Sequence, residues 1–545
     1  MNQGIMNVPP PRNEPEYNYA PGSPERAAII KEIERLRSSD PPEIPLLVGG
    51  REVRTGQLGQ VRCPHDHGRV LATFHQAGPQ EVAAAVEAAR EAWREWSSWD
   101  WTDRLAVFLQ AADLASTKYR FLLNAATMLN QSKTVHQAEI DAATELIDFY
   151  RFNVHHAGLI HGQIMNMAPG NWNHLEPRPL EGFVFAVSPF NFLAIGSNLP
   201  TAPAMLGNVV LWKPSSSVVF SNHFLLKLWA EAGLPPGVIN FLPGPGDQVG
   251  APVLAQPSLA GLHFTGSTDV FREMWSAIGR NIGRYRNYPR LVGETGGKGF
   301  VMVHASTDPA LAATALIRGA FEFQGQKCSA TSRAYIPDSL WPQVRDLLAA
   351  ALEEIKVGDV ADLRNFMGAV IDRPAFRRVT GYLEYARTSN DHQIVFGGQA
   401  DDTRGYFIQP TVIRATQPQT KLMNEEIFGP VLTVYVYPEK DFAETLGLCD
   451  QTSPYALTGS IFARDRPAVR RALTGLRYSA GNFYINDKTT GAMVGQQPFG
   501  GARASGTNDK VGSILNMWRW VNPRTIKETF IPATDFRYPF LGKGP

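Results

Sequence analysis

Only three cysteines, Cys63, Cys328 and Cys449, occur in 545 residues. Three thiols cannot form a full set of pairs, which excludes a disulfide-stapled secreted scaffold. Charge of one sign is also lacking: 52 Lys and Arg stand against 51 Asp and Glu, a formal +1. No basic excess favours nucleic acid or an anionic membrane, so a small-molecule partner is expected. The chain does not open on a basic stretch followed by an apolar one. Instead Pro9, Pro10, Pro11, Pro15, Pro21 and Pro24 alternate with Glu14 and Glu16, which fits neither a secretory signal nor an acid-poor transit peptide. Clean hydrophobic runs are scarce as well. The longest uncharged stretch, residues 182–212, is broken by Pro189, Pro200, Pro203, Ser188, Asn191, Asn198 and Asn208. Such residues need special partners in lipid, so the stretch reads as buried and site-forming rather than membrane-spanning.

What is present is the composition of a globular chain with a large core, 44% hydrophobic and 19% charged. Its length allows about three structural units. Residues 1–25 read as an irregular proline-rich arm. Apolar residues at spacings of three and four then predict helices over 26–37 and 79–96, another capped by Thr102 or Asp103, and a long one over 135–159. The first third is expected to be mostly helical. From Phe183 short apolar runs at 183–187, 209–212, 238–242 and 261–264 alternate with helical stretches at 218–232 and 269–278. The alternation resumes after Gly299, with strands expected at 300–303, 333–336, 394–396, 432–437, 458–462 and 482–485 and helices at 310–323 and 340–356. Strand alternating with helix predicts α/β architecture, and the connection Gly293, Gly296, Gly297, Gly299 is the expected hinge between two such domains.

Several motifs fall short of the chemistry they suggest. Cys63, His65 and His67 are potential zinc ligands with no evident fourth, so no metal is expected. Gly244 and Gly246 lack a correctly spaced third glycine for a dinucleotide fingerprint, and Gly297-Lys298 lacks the first Gly and the Ser or Thr of a P-loop. Trp93, Trp96, Trp99 and Trp101 read as helix-packing anchors. Cys328, after a helical stretch and beside Gly325 and Lys327, has flanks that suit an exposed, electropositive thiolate, although a lone cysteine is more often a small buried hydrophobe. Glu294 likewise reads alone as a cap or an ion-pair partner.

Taken together, the segments Ser188-Pro189-Phe190-Asn191-Phe192, Leu211-Trp212-Lys213-Pro214-Ser215, Phe264-Thr265-Gly266-Ser267, Glu294-Thr295-Gly296-Gly297-Lys298, Gly325-Gln326-Lys327-Cys328, Glu425-Glu426-Ile427-Phe428-Gly429-Pro430 and Pro498-Phe499-Gly500-Gly501 resemble the aldehyde dehydrogenase superfamily, from about residue 40 onward. The stretches 483–488 and 494–506, with the early Pro10-Pro11-Arg12-Asn13-Glu14-Pro15 arm, look like the branch that oxidises L-glutamate γ-semialdehyde to L-glutamate in proline degradation. Another semialdehyde-oxidising member of the family is the alternative.

The resemblance implies Cys328 as nucleophile, Glu294 as the base that activates water, and Asn191 with the Cys328 N–H as oxyanion donors. It implies NAD, with NADP as the weaker alternative, held by Ser188, Phe190, Lys213, Gly266, Ser267, Glu426 and Phe428. The family's frequent acidic residue three positions after the lysine is Ser216 here. For the substrate it implies Ser329, Gly491 and Ala492 around the α-carboxylate, with Phe192 and Phe499 along the chain.

The implied fold is two Rossmann-like parallel-sheet domains plus a small β oligomerisation element. The expected divisions are 1–168, a helical part of the NAD-binding domain; 169–182, a projecting hairpin; 183–298, the NAD-binding core; 299–486, the thiol-bearing domain; and 487–545, a C-terminal oligomerisation segment. A homodimer or a dimer-based hexamer is implied, with proline oxidation left to a separate proline dehydrogenase. The arm begins so close to Met1 that a bacterial cytoplasmic location is expected, with the mitochondrial matrix as the alternative for a processed chain.

Overall fold

The structure, a computed structural model, describes residues 8–542. The first seven residues of the expected arm and the last three of the C-terminal segment lie outside the described residues. Two seven-stranded sheets organise the chain. The first runs Arg290–Glu294, Leu259–Thr265, Phe183–Val187, Val209–Lys213, Ile239–Phe241, Leu46–Val48, Arg51–Val53. Its first five strands are parallel. Every residue of Phe183–Val187 is buried, as a strand covered by helices on both faces requires.

The second sheet runs His392–Phe396, Thr411–Ala415, Val431–Tyr437, Thr331–Pro337, Gly299–Val303, Thr458–Phe462, Asn482–Ile485. Only its edge strand His392–Phe396 is antiparallel. The pleat of Gly299–Val303 divides its side chains: Val301 and Val303 join one core with Leu316 and Leu348, while Phe300 and Met302 join another with Ile461 and Leu446. Each face of this sheet therefore has its own core.

The α/β alternation follows the sequence reading, and Pro79–Trp96 and Thr458–Phe462 form over the expected residues. The first third differs. It also holds the strands Glu43–Ile44, Leu46–Val48, Arg51–Val53, Leu58–Cys63 and Asp66–His75. The first three are too short to show alternation, and Arg62, Asp66 and Arg69 interrupt the other two. The helix after Tyr119 begins at Arg120, and the one before it at Trp101, capped from Asp100 rather than Thr102 or Asp103: Asp103 and Arg104 donate their N–H groups to the Asp100 carbonyl at 3.1 and 3.2 Å. The long helix is divided by a wider π turn, Glu139–Glu145, between Val135–Ala138 and Leu146–His161. Such a bulge rotates side chains out of the α register and is frequent at functional sites.

The expected hairpin at 169–182 is instead a single strand, Asn171–Pro179, paired antiparallel with Val521–Thr529. Pro177, Pro179 and Pro523 are tolerated because each strand of a two-stranded ribbon has one free edge. Residues 487–520 do not join this ribbon. They fold back against the junction of the two sheets, where Thr507 donates its N–H to the Gly293 carbonyl and Gly501 donates to Glu294.

Candidate active site

The thiol-bearing loop is shaped by an unusual turn. After the helix Pro309–Phe321 the chain passes through Phe323, Gln324 and Gly325 at φ of 52°, 56° and 64°. Left-handed backbone at two non-glycine residues costs about 1–3 kcal/mol each and persists only where the surroundings over-determine it. Here Gln324 does so. Its Nε2 donates to the Ser132 and Ala369 carbonyls at 3.0 and 2.7 Å, and its Oε1 accepts from Gly368 N–H at 3.0 Å. Gln326 Oε1 accepts from Ile371 N–H at 2.9 Å. The segment leading into Cys328 is thereby fixed.

Across from it runs the hinge between the sheets. Glu294 ends the edge strand Arg290–Glu294, and residues 295–298 are buried. A Cβ at Gly297 would lie 2.1 Å from the Cys328 carbonyl oxygen, so only glycine allows the hinge to pass this close to the thiol-bearing loop. Gly297 N–H donates to Glu426 Oε1 at 2.7 Å, which brings the second carboxylate to the same place. Asn191 follows the strand Phe183–Val187, and its Nδ2 donates to the Gln326 carbonyl at 3.1 Å, two residues before Cys328. Cys328, Glu294 and Asn191 thus meet where the C-terminal end of the first sheet faces the second.

The electrostatics correct one expectation. Cys328 does not sit in an electropositive setting: burial pushes its thiol up to about 12, and the charges of Glu426 and Glu294 act in the same direction. Lys327 is turned to Glu322, 3.5 Å away, instead of to the thiol. Burial likewise raises the Glu294 carboxyl well above its ordinary value, opposed by the Gly501 N–H and Lys510. Gly501 donates to its Oε2, whereas Oε1 is buried without a partner among the described residues. Glu426 is pushed up to about 7, also by burial.

The nucleotide side is built from strand ends and a helix start. Burial lowers the Lys213 ammonium to about 8, and among the described residues its Nζ donates only to the adjacent Pro214 carbonyl, at 3.3 Å. Ser267 caps the helix Thr268–Arg280 by accepting from Val270 N–H, and Gly266 N–H donates to the Glu294 carbonyl. A half-buried amine at a strand end, with no acid among the described residues paired to it, suits ribose hydroxyls, and the positive end of the helix Thr268–Arg280 suits a pyrophosphate. The donor set fits a dinucleotide. Ser188 is committed inward, accepting from Trp212 Nε1 at 2.9 Å. The rings of Phe190 and Phe428 meet edge to face at 5.8 Å, with Phe428 at φ 55°.

On the substrate side, the Ser329 carbonyl accepts from Thr489 Oγ1 at 2.6 Å, tying the loop that carries Gly491 and Ala492 to the residue after Cys328. Phe192 packs edge to face on Phe323, with the Lys133 ammonium 4.2 Å from its ring centre. Phe499 exchanges backbone hydrogen bonds with Val511 at 3.0 and 2.8 Å.

Some groups at the site carry no sequence signal. Lys133 and Asp141 form a buried pair at 2.5 Å, and Asp141 also accepts from Leu193 and Ala194 N–H, the first turn of the helix after Asn191 and Phe192. Glu145, at the end of the π turn, is pushed up to about 8 by burial, and its charge bears on Cys328. Cys63 is not part of this site: it is buried with Sγ 3.1 Å from His65 Nε2, while His67 turns to the Asp402 carbonyl.

A fixed cysteine, a dry carboxyl and an amide donor at the junction of two Rossmann-like sheets define an aldehyde-oxidising class. The Aldehyde dehydrogenase family model matches residues 53–525, and the chain belongs to that family. Within it, the chain is 52% identical over 541 residues to the mitochondrial delta-1-pyrroline-5-carboxylate dehydrogenase of Dictyostelium discoideum, covering 98% of this chain and 96% of that protein. The NAD-bound crystal structure of the Mycobacterium tuberculosis delta-pyrroline-5-carboxylate dehydrogenase is 50% identical, with a TM-score of 0.96 over 100% of both chains. That of the Thermus enzyme with bound NAD is 34% identical, with a TM-score of 0.90, covering 96% of this chain and 100% of that one.

Proposed function

We propose that the chain oxidises L-glutamate γ-semialdehyde, formed by opening of 1-pyrroline-5-carboxylate, to L-glutamate with NAD. The observation that carries the substrate choice is the tie between Ser329 and Thr489, which supports a carboxylate site at Ser329, Gly491 and Ala492 beside the thiol. A hydroxyl and adjacent backbone N–H groups form a nest suited to an anion.

In this reading Cys328, once deprotonated, attacks the aldehyde carbon. Asn191 Nδ2 and the Cys328 N–H stabilise the oxyanion of the resulting thiohemiacetal, each donor contributing about 3 kcal/mol. NAD held along Lys213, Gly266, Ser267, Glu426 and Phe428 would supply the hydride acceptor; as the oxyanion collapses to a carbonyl, the carbon–hydrogen bond of the thiohemiacetal breaks and a thioester on Cys328 is left. Glu294 then takes a proton from water, whose oxygen attacks the thioester carbonyl, and the carbon–sulfur bond breaks to release the carboxylic acid and return the thiol. Phe192 and Phe499 flank the aliphatic chain and exclude water, which keeps Glu294 basic. Incubation with pyrroline-5-carboxylate and NAD tests this: one L-glutamate should form per NADH, and NADH without glutamate would overturn it.

For assembly, the ribbon of Asn171–Pro179 and Val521–Thr529 is the proposed contact of a homodimer, or of a hexamer built from dimers. Trp172, Phe530 and Ile531 are exposed there, which supports a second copy. Proline oxidation is assigned to a separate proline dehydrogenase. A reducing compartment keeps Cys328 competent: bacterial cytoplasm is the first reading and the mitochondrial matrix the alternative, the Dictyostelium relative being named as mitochondrial. No helix among the described residues is long and apolar enough to cross a membrane.

A further inference from the structure

The N-terminal arm reaches the substrate loop through one side chain. Asn13 Nδ2 donates to Asp148 Oδ2 at 2.7 Å and to the Val494 carbonyl at 2.8 Å, and Asn13 Oδ1 accepts from Gln496 Nε2 at 3.0 Å. Reversing the amide would set its oxygen against a carboxylate and a carbonyl, so the orientation is fixed by its partners. The arm behind it is anchored. Glu14 N–H donates to Asp148 Oδ1 at 2.7 Å, and the Glu14 carboxylate pairs with Arg120 and Arg151 at 2.5 and 2.7 Å.

The loop it grips is stiff. Gln496 and Gln497 donate their N–H groups back to the Met493 carbonyl at 3.1 and 3.0 Å, and Met493 N–H donates to Gln497 Oε1 at 3.0 Å. Gly495, at φ +81°, rests on Phe152, where a Cβ would lie 2.1 Å from the ring. Phe152 is one helical turn beyond Asp148, so arm and helix hold the loop from two sides. Two residues before Val494 comes Ala492, and the loop's other end is tied to Ser329 by Thr489.

We infer that Asn13 is a positioning residue for substrate specificity: it sets the distance between the Gly491–Ala492 N–H groups and Cys328, and so selects aldehydes carrying a carboxylate at the length of glutamate semialdehyde. This rests on the reading of Ser329, Gly491 and Ala492 as the carboxylate site.

The test compares Asn13→Ala with the unaltered chain on L-glutamate γ-semialdehyde and on pentanal, an uncharged aldehyde of the same length. KM for the semialdehyde should rise about tenfold, the loss of roughly one hydrogen bond's worth of alignment. Its kcat, the KM for pentanal and the KM for NAD should stay unchanged. Equal changes with both aldehydes, or no change with either, would overturn the inference. Gln496→Ala, which leaves the arm's contacts with Asp148 intact, should shift the semialdehyde KM in the same direction and less; this keeps the test decisive if Asn13→Ala folds poorly. Ser329→Ala separates the two ideas. If it raises the semialdehyde KM while Asn13→Ala does not, only the role of Asn13 fails; if it leaves that KM unchanged, the carboxylate reading fails and takes this inference with it.

Discussion

Gly501 donates its backbone N–H to Glu294 Oε2 at 3.3 Å, leaving Oε1 buried and unpartnered among the described residues. One oxygen is held and the other is free, in a site dry enough to raise the carboxyl well above its ordinary value. That asymmetry fits a base that must accept a proton from water late in the cycle.

Glu294→Gln keeps the shape and the hydrogen bond while removing the base. Hydride transfer should persist as a burst of NADH equal to the enzyme present, followed by turnover slowed about 10²- to 10⁴-fold. A rapid-mixing trace with no burst would assign Glu294 to an earlier step.

Cys328→Ser should bind NAD as before and lose turnover by about three orders of magnitude or more. Cofactor affinity by fluorescence titration and steady-state rate together check this. A near-normal rate would remove Cys328 from the mechanism.

Asn191→Ala should lower the rate of the hydride-transfer phase about 10²- to 10³-fold, the usual loss for one oxyanion donor. If only the slow phase changes, the amide serves hydrolysis and not thiohemiacetal formation.

The fold was legible wherever apolar runs were long enough to show a period. Residues 183–187 and 458–462 gave strands because both faces of each are covered, every residue being buried. The strands at 46–48 and 51–53 hold three residues each, below any periodic signal. The ribbon was misread as a local hairpin because Asn171–Pro179 takes its register from Val521–Thr529, a pairing no local pattern encodes. Cys328, Glu294 and Asn191 lie in stretches that resemble the family, and Asn13 in the early arm quoted with them, whereas the contacts of Lys133, Glu145 and Asn13 are made only in the folded chain. The thiolate expectation failed for a related reason: Lys327 is adjacent in sequence, but its charge is spent on Glu322.

Both working groups are needed deprotonated, and burial raises both, Cys328 to about 12. With the thiol at about 12, raising the pH populates the attacking thiolate, so kcat/KM should climb with pH and not level off short of that value. A flat or falling profile would contradict the assignment.

Ser216 opens a short turn after Lys213 and donates to the Gly244 carbonyl at 3.4 Å, so position 216 itself offers no carboxylate against a 2′-phosphate. Ser216→Glu should lower kcat/KM with NADP by about tenfold or more and leave NAD nearly unchanged. Equal losses with both cofactors would place position 216 away from the ribose.

The most direct measurement is the initial rate of NADH formation with L-glutamate γ-semialdehyde and with pentanal at equal low concentration. The account predicts a clear preference for the semialdehyde, lost in Ser329→Ala. A faster rate with pentanal would contradict it.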